Sequence, residues 1–381
     1  MIATVTIVLL GLVGYVYVGY PLLAALWART FPRPVAMADI EPTVSLVIAA
    51  YNEAGVIEEK ITNSLALDYP RDRLQIIVVA DGSSDATADV ARGFEDRGVL
   101  VLHMPQRRGK SAALNRGVAH AVGEVLVLSD ANAFYRPDAI RKLVRNLADP
   151  QVGLVSGNKT VRHRSSRIAD QEGSYWKYES FIKKAETRSG STVGVVGEIN
   201  AIRRGLYPEI PEHIINDDAY LCLAVLRRGL RVVYEPEAIS CETPAQSMGE
   251  EVARRKRMVA GRYQQMLAPG LWTRLGASDL FKLASHKLLR LLLPFLMIGA
   301  LLANVLAVLA GEGGGLLVLT LAAQLAAYAL AGLGMLVRGS SGWARLPKAA
   351  FYIVSSNLAV LDGVGYYLSG RASVLWKKAA R

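Results

Sequence analysis

Residues 2–28 carry no charged side chain, and Arg29 and Arg33 follow directly. A run of that length spans a bilayer as one helix. Nothing basic precedes it, and it is too long for the core of a cleaved leader. Although Ala36-Met37-Ala38 resembles a cleavage site, we read 1–28 as an uncleaved membrane helix. Uncharged apolar runs return at 291–311 and 315–337. A weaker run at 350–370 holds Ser355, Ser356, Asn357 and Asp362 and is read as transmembrane or partly inserted. Between them, 40–245 is patterned as a globular domain. Residues 246–290, with Trp272, Phe281, Lys282, His286, Lys287 and Arg290, read as interfacial amphipathic helices.

Composition narrows the class. With 52% hydrophobic and 20% charged residues, the 381-residue chain is neither a disordered polymer nor an ordinary soluble enzyme. Its net charge of +11, beside such apolar runs, fits a surface facing anionic lipid. No zinc-finger, basic-zipper or RNA-recognition pattern occurs, so we expect no nucleic-acid partner. The cysteines Cys222 and Cys241 make no disulfide scaffold and match no metal-ligand spacing, which suits a reducing compartment. Arg29 and Arg33 place the middle domain in the cytoplasm and the N-terminus outside, in a multi-pass protein of the cell (inner) membrane. Glu312 then marks an outer turn, and Arg338, Arg345 and Lys348 an inner loop. Counting on, Arg371, Lys377, Lys378 and Arg381 fall outside, against the positive-inside rule. Either the last run does not fully cross or the bias there is weak.

The domain alternates buried strands (Val44–Ala50, Leu74–Ala80, Val99–His103, Glu124–Leu128) with helical stretches (Glu53–Leu67, Asp85–Arg97, Gly109–Val122). That alternation predicts an α/β, doubly wound, mostly parallel sheet, whose ligands collect at the carboxyl ends of the strands. Polar groups sit at those ends: Tyr51-Asn52-Glu53, Asp81 to Asp85, Gln106 to Lys110, and Asp130-Ala131-Asn132. Any one alone is turn chemistry; several converging make a site. No G-x-G-x-x-G follows a strand. Gly109-Lys110-Ser111 looks like the end of a P-loop, but Met104 stands where its first glycine is required. Lys110, opening a helix, can still serve an anionic ligand.

Seven segments then occur in order: V-S-L-V-I-A-A-Y-N-E (44–53), V-V-A-D-G-S-S-D (78–85), G-K-S-A-A-L-N-R-G (109–117), L-S-D-A-N (128–132), G-E-I-N-A-I-R-R (197–204), N-D-D-A-Y-L (216–221) and R-R-K-R-M-V-A-G (254–261). Together they resemble the membrane-embedded family 2 glycosyltransferases of GT-A fold, such as hyaluronan, chitin, cellulose and poly-N-acetylglucosamine synthases. The resemblance implies that Ala50, Tyr51 and Glu53 frame the base and ribose of a UDP-sugar, and that Asp81 accepts from uracil. Lys110, Asp130 and Arg257 would serve the diphosphate. Asp130 and Asn132 would hold Mg²⁺ or Mn²⁺, although Asn132 brings no charge where the family carries a second carboxylate. Asp218 would be the general base, its pKa raised by Asp217; the plain alternative is an acidic helix N-terminus. Gly197, Glu198, Arg203, Arg254 and Met258 would face the acceptor, with the aromatic helix of Tyr175, Trp176 and Tyr178, for whose rings the equal alternative is helix core. The capping pattern Ser247-Met248-Gly249-Glu250 starts a helix at Ser247. Where processive relatives have Q-x-x-R-W, this chain has Arg254, Arg257 and Met258; the missing Trp weakens any case for a long polymer channel. The alternative for this stretch is a basic helix on anionic lipid.

The implied function is inverting transfer from a UDP-sugar to a saccharide acceptor at the cytoplasmic membrane face. Its product would be a β-linked cell-surface polysaccharide or oligosaccharide. The first alternative is single transfer to a polyprenyl-phosphate or other lipid carrier. A non-catalytic transport or assembly subunit would leave Asp81, Asp130 and Asp218 without purpose. Four candidate spans are few for an export channel, which leaves a homo-oligomer or export partner open.

Overall fold

The computed structural model describes residues 1–161, 167–242, 248–337 and 342–375. The strands are β1 (Val44–Ala50), β2 (Leu74–Asp81), β3 (Val99–Met104), β4 (Val125–Asp130), β5 (Ala133–Tyr135), β6 (Val152–Val161), β7 (Asn200–Arg203) and β8 (Arg231–Glu242). They form one sheet in the order β3-β2-β1-β4-β7-β6-β8-β5. The half from β3 to β4 is parallel; β7 runs antiparallel to β4 and β6, β6 is parallel to β8, and β5 is antiparallel to β8.

The continuous apolar runs of β1, β2 and β4 follow from burial on both faces. Alternate side chains point to opposite sides. Leu46, Ile48, Ile76 and Val78 join the layer that includes α2 (Ile57–Leu65) and the short α3 (Thr87–Arg92). Val47, Ile77 and Val79 join Ala113 and Leu114 of α4 (Lys110–Ala119) in the opposite layer. Helix α5 (Ala139–Val144) covers the first face through Ile140 and Leu143. Helix α6 is Arg167–Arg188; α7 (Asp217–Leu226) packs Leu221 and Val225 into the second layer. Helix α8 is Met248–Met266.

Among the described residues, three helices are long and apolar enough to cross a membrane: α1 (Ile2–Thr30), α9 (Ala277–Leu309) and α10 (Gly314–Leu336). α1 and α9 run antiparallel. Tyr15 Oη lies 2.9 Å from Ser285 Oγ, Leu9 meets Gly299, and the Met1 ammonium lies 3.0 Å from Glu312. Each helix carries a π-helical turn at this junction, Tyr15–Gly19 and Leu283–Leu288. α11 (Arg345–Leu368) is not one of the three candidate spans. It starts against Gly334 at the end of α10 and lies along α8, with Lys256 2.9 Å from Asp362 and Tyr263 stacked on Tyr367. Beyond it, Val374 and Leu375 reach Gly109 at the start of α4. The tail at Arg371–Leu375 thus lies on the domain side, opposite to where counting four crossings places it. Arg338, Lys377, Lys378 and Arg381 lie outside the described residues.

Arg231 fastens the chain leaving α1 to the domain. Its guanidinium donates to the carbonyls of Arg33 (2.8 Å), Thr187 (3.1 Å) and Gly190 (2.9 Å), and to that of Pro34 at 3.2 Å. Arg231→Met removes these donors and leaves the buried Gly190 carbonyl unmet, so we expect a loss of about 1–3 kcal/mol. Thermal unfolding in detergent checks it; an unchanged midpoint would refute the role.

Candidate active site

The site forms where β1, β2 and β4 end beside α4, α7 and α8. Asp81, 3% exposed at the end of β2, accepts from the backbone N–H of Arg108 (2.9 Å) and of Gly109 (2.7 Å). Both oxygens therefore shape the 105–109 loop, with one lone pair each left for a ligand. Gly82 follows with φ +61°, and its N–H donates to Met104 O at 2.9 Å. The Arg107 guanidinium lies over the Tyr51 ring, 3.6 Å from its centroid. Ala50 is buried at the end of β1, and the Glu53 N–H donates to Thr87 Oγ1 at 2.7 Å.

Lys110 opens α4 with its ammonium 2.6 Å from Asp130 and 3.5 Å from Asp217. Gly197 lies against this group: a β-carbon there would sit 3.4 Å from Lys110 Nζ and 3.5 Å from Asp218 Cβ. Asn216, just before α7, donates to Met258 O at 2.9 Å and packs on Gly261, which sets α8 on the start of α7. Arg257 of α8 donates to Ile215 O at 3.4 Å, and the charges of Asp217, Asp130 and Asp218 act on it. The fold thus gathers Lys110, Asp130, Gly197, Asp217, Asp218 and Arg257 from five separate stretches of chain.

The family model described as "Glycosyltransferase like family 2" matches residues 42–261, more than half of the chain. The chain belongs to that family. Among relatives, the poly-beta-1,6-N-acetyl-D-glucosamine synthase of Staphylococcus aureus (strain MSSA476) is 28% identical over 241 residues, covering 62% of this chain and 58% of that protein. The Staphylococcus epidermidis protein of the same name is 25% identical over 230 residues, covering 59% and 55%. The match spans little more than half the length of these relatives. Among solved structures, the mannosyltransferase PcManGT from Pyrobaculum calidifontis, in complex with GDP-Man and Mn²⁺, shares the fold with a TM-score of 0.73. It is 24% identical and matches 97% of this chain and 100% of its own.

In this glycosyltransferase the Asp218 carboxylate is displaced from its ordinary pKa value. Burial, then the Asp217 charge, raise the Asp218 pKa to about 6 against the pull of Lys110. Asp217 Oδ2 is buried and receives no hydrogen bond among the described residues. Burial opposes the Lys110 charge, yet Asp130 and Asp217 raise its pKa above the ordinary lysine value. Lys110 therefore serves as counter-ion to the carboxylates.

Asn132 turns its amide nitrogen to Glu242 at 2.7 Å; Glu242 pairs with Lys159, which also lies 2.9 Å from Glu198. Glu198 thus enters a buried ionic chain with Asn132. Arg203 does not reach the site. On β7 it pairs with Val125, at the opposite end of β4 from Asp130, about 16 Å away along the strand. Its guanidinium donates to Val152 O (2.9 Å) and Leu147 O (2.7 Å). Strand direction therefore removes it from the acceptor side. Tyr178 donates to Tyr17 O at 3.0 Å on the membrane helix instead of facing a sugar. Arg254 stands one turn before Arg257 on α8. Ser247 and the Tyr175 side chain lie outside the described residues.

Two residues here escaped the sequence reading. Asn216 carried a signal, being polar just ahead of Asp217-Asp218. Lys60 carried none: it is a fully buried lysine on α2 that donates to Ala133 O beneath the 130–133 turn. Burial lowers its pKa to about 7, against the attraction of Asp130.

Proposed function

We propose that this transferase moves a sugar from a UDP-sugar to a hydroxyl of a saccharide acceptor, with inversion, at the cytoplasmic face of the membrane. The product would be a β-linked cell-surface polysaccharide or oligosaccharide. One observation carries this: Asp218, with its pKa raised to about 6, stands beside Gly197 and Lys110. A hydroxyl must lose its proton as it attacks, and a base with a pKa near the working pH serves that step. A phosphate acceptor is already ionised and has no need of one. Asp218 takes the proton while Lys110 and Arg257 supply positive charge for the departing diphosphate. Attack from the side opposite the leaving group inverts the anomeric centre in one displacement.

The donor set for a metal is all oxygen: the Asp130 carboxylate and the Asn132 amide oxygen. Among the described residues no group of three His, Cys, Asp or Glu forms a metal site. One carboxylate suffices for a hard cation that also takes phosphate oxygens, so the residues fit Mg²⁺ or Mn²⁺ shared with the donor. Bound there, the ion would neutralise charge on the diphosphate. Lys110 already holds Asp130 at 2.6 Å and would have to yield it. Chelation is therefore expected to stop transfer, and added Mn²⁺ or Mg²⁺ to restore it, with Asp130→Asn shifting the activating concentration upward. Full activity in EDTA would refute the metal assignment.

The deciding experiment incubates membranes with radiolabelled UDP-glucose, UDP-N-acetylglucosamine, UDP-galactose or GDP-mannose, followed by product sizing and linkage analysis. The last donor is included because a carboxylate such as Asp81 accepts equally from a uracil or a guanine N–H. Transfer from GDP-mannose alone would overturn the UDP assignment. Transfer from none would overturn the whole reading.

A further inference from the structure

Behind the end of β4 lies a set of buried side chains that the transfer chemistry above does not use. Two residues of α2 grip the short strand β5. Lys60 donates to the Ala133 carbonyl, and its ammonium lies over the Tyr135 ring, 4.1 Å from the centroid. Asn63 closes a two-way pair with the Tyr135 backbone. Its amide nitrogen donates to Tyr135 O at 2.9 Å, and its oxygen accepts from the Tyr135 N–H at 2.8 Å. Tyr135 is therefore held at its backbone and at one face of its ring, the latter by a cation–π contact in a dry setting.

What the fixed ring presents is its hydroxyl. The buried Tyr135 Oη donates to Glu198 O at 2.8 Å and also reaches Leu128 O of β4 at 3.2 Å. Burial raises the Tyr135 pKa above the ordinary phenol value, so the group stays a donor. Among the described residues no other donor reaches Glu198 O. The turn around it is otherwise tied by longer bonds: Asn200 Nδ2 donates to Val196 O at 3.2 Å and to Gly197 O at 3.4 Å, and the Val196 N–H donates to Ser156 Oγ at 3.0 Å. Glu198 directly follows Gly197, the residue that packs on Lys110 and Asp218 with only enough clearance to hold a β-carbon 3.4–3.5 Å from them. The hydroxyl thus ties the end of β4, which carries Asp130, to the turn that abuts Asp218.

We propose that Tyr135 is a positioning residue for transfer: its hydroxyl fixes how the Gly197-Glu198 turn stands against Asp218 and Lys110, and Lys60 holds the ring that carries it. This rests on the transfer reading above, with Asp218 as the base. A displacement of about 1 Å near the reacting groups can cost about 10²-fold in rate, so a turn freed from its shortest tie reaches the chemistry without touching it. Nucleotide binding is a separate matter. Asp81 stands on β2, with β1 between it and β4, so the strut from α2 to Glu198 leaves the donor base alone.

The test separates turnover from binding. Full-length protein in detergent is assayed with the four radiolabelled donors above, and UDP affinity is measured by calorimetry on the same samples. Tyr135→Phe keeps the ring and its packing and removes only the hydroxyl. It is expected to lower kcat about tenfold while UDP Kd stays within about twofold of wild type. Lys60→Met, which frees the ring, should also lower kcat. If the two residues form one strut, the double variant should be no slower than the slower single variant. Equal kcat in Tyr135→Phe and wild type would overturn the inference and leave the transfer reading intact. A loss of UDP binding in step with turnover would make Tyr135 a residue of the fold alone, and losses that multiply in the double variant would break the strut; either overturns the inference. No transfer by wild type from any donor would overturn the transfer reading itself, and this inference with it.

Discussion

Asp218→Asn is expected to slow transfer by about 10²–10⁴-fold while leaving nucleotide-sugar binding nearly unchanged. The amide keeps the shape of the side chain and its contact with the Ala219 N–H but cannot take a proton. The wild-type pH profile should carry the same signature. Asp218 works only when deprotonated, so kcat/KM should fall as pH drops through about 6. Asp217→Asn removes a charge that raises this pKa, and the acid limb should move lower. Lys110→Met removes a charge that lowers it, and the limb should move higher. Opposite shifts from two neighbours of one carboxylate would be hard to obtain from a merely structural Asp218. Unchanged turnover in Asp218→Asn would remove it as the base.

Gly82→Ala is expected to abolish donor binding. The residue sits at φ +61°, where a side chain costs about 1–2 kcal/mol. Worse, its β-carbon would lie 2.6 Å from Arg107 Cα, and backbone cannot swing aside as a side chain can. The 105–109 loop would have to retreat, taking the Arg108 and Gly109 N–H groups from Asp81 and the Arg107 guanidinium from Tyr51. A nucleotide Kd weakened about 100-fold or more is the outcome to look for, by calorimetry with UDP. Gly205→Ala is the control, because nothing lies within 4 Å of its added carbon. Equal affinity in both variants would show that the loop does not form the donor site.

The parallel half of the sheet was legible because strands buried on both faces are written as unbroken apolar runs. β1 has the expected bounds, whereas β4 runs on to Asp130, its ladder to β1 continuing through Ser129 and Asp130. The first helix begins at Ile57 instead of Glu53, because 51–56 forms a turn whose N–H groups are met by Ser83, Thr87 and Asp85. β5 to β8 were not read, since their pairing joins segments far apart and β8 breaks its run with Glu235, Pro236 and Glu237. In the site, Lys110, Asp130, Asp217 and Asp218 could be found as polar residues at element ends. Arg203 misled because it is near Gly197 in sequence, and a strand carries residues apart quickly.

The ion pair between the Met1 ammonium and Glu312 ties the first residue to the turn between α9 and α10. With α1, α9 and α10 as the crossings, the path is over, back and over again, an odd count. A fluorophore placed on Met1 and another placed just after Leu375 would then answer to quenchers added to different compartments, and neither quencher alone would darken both.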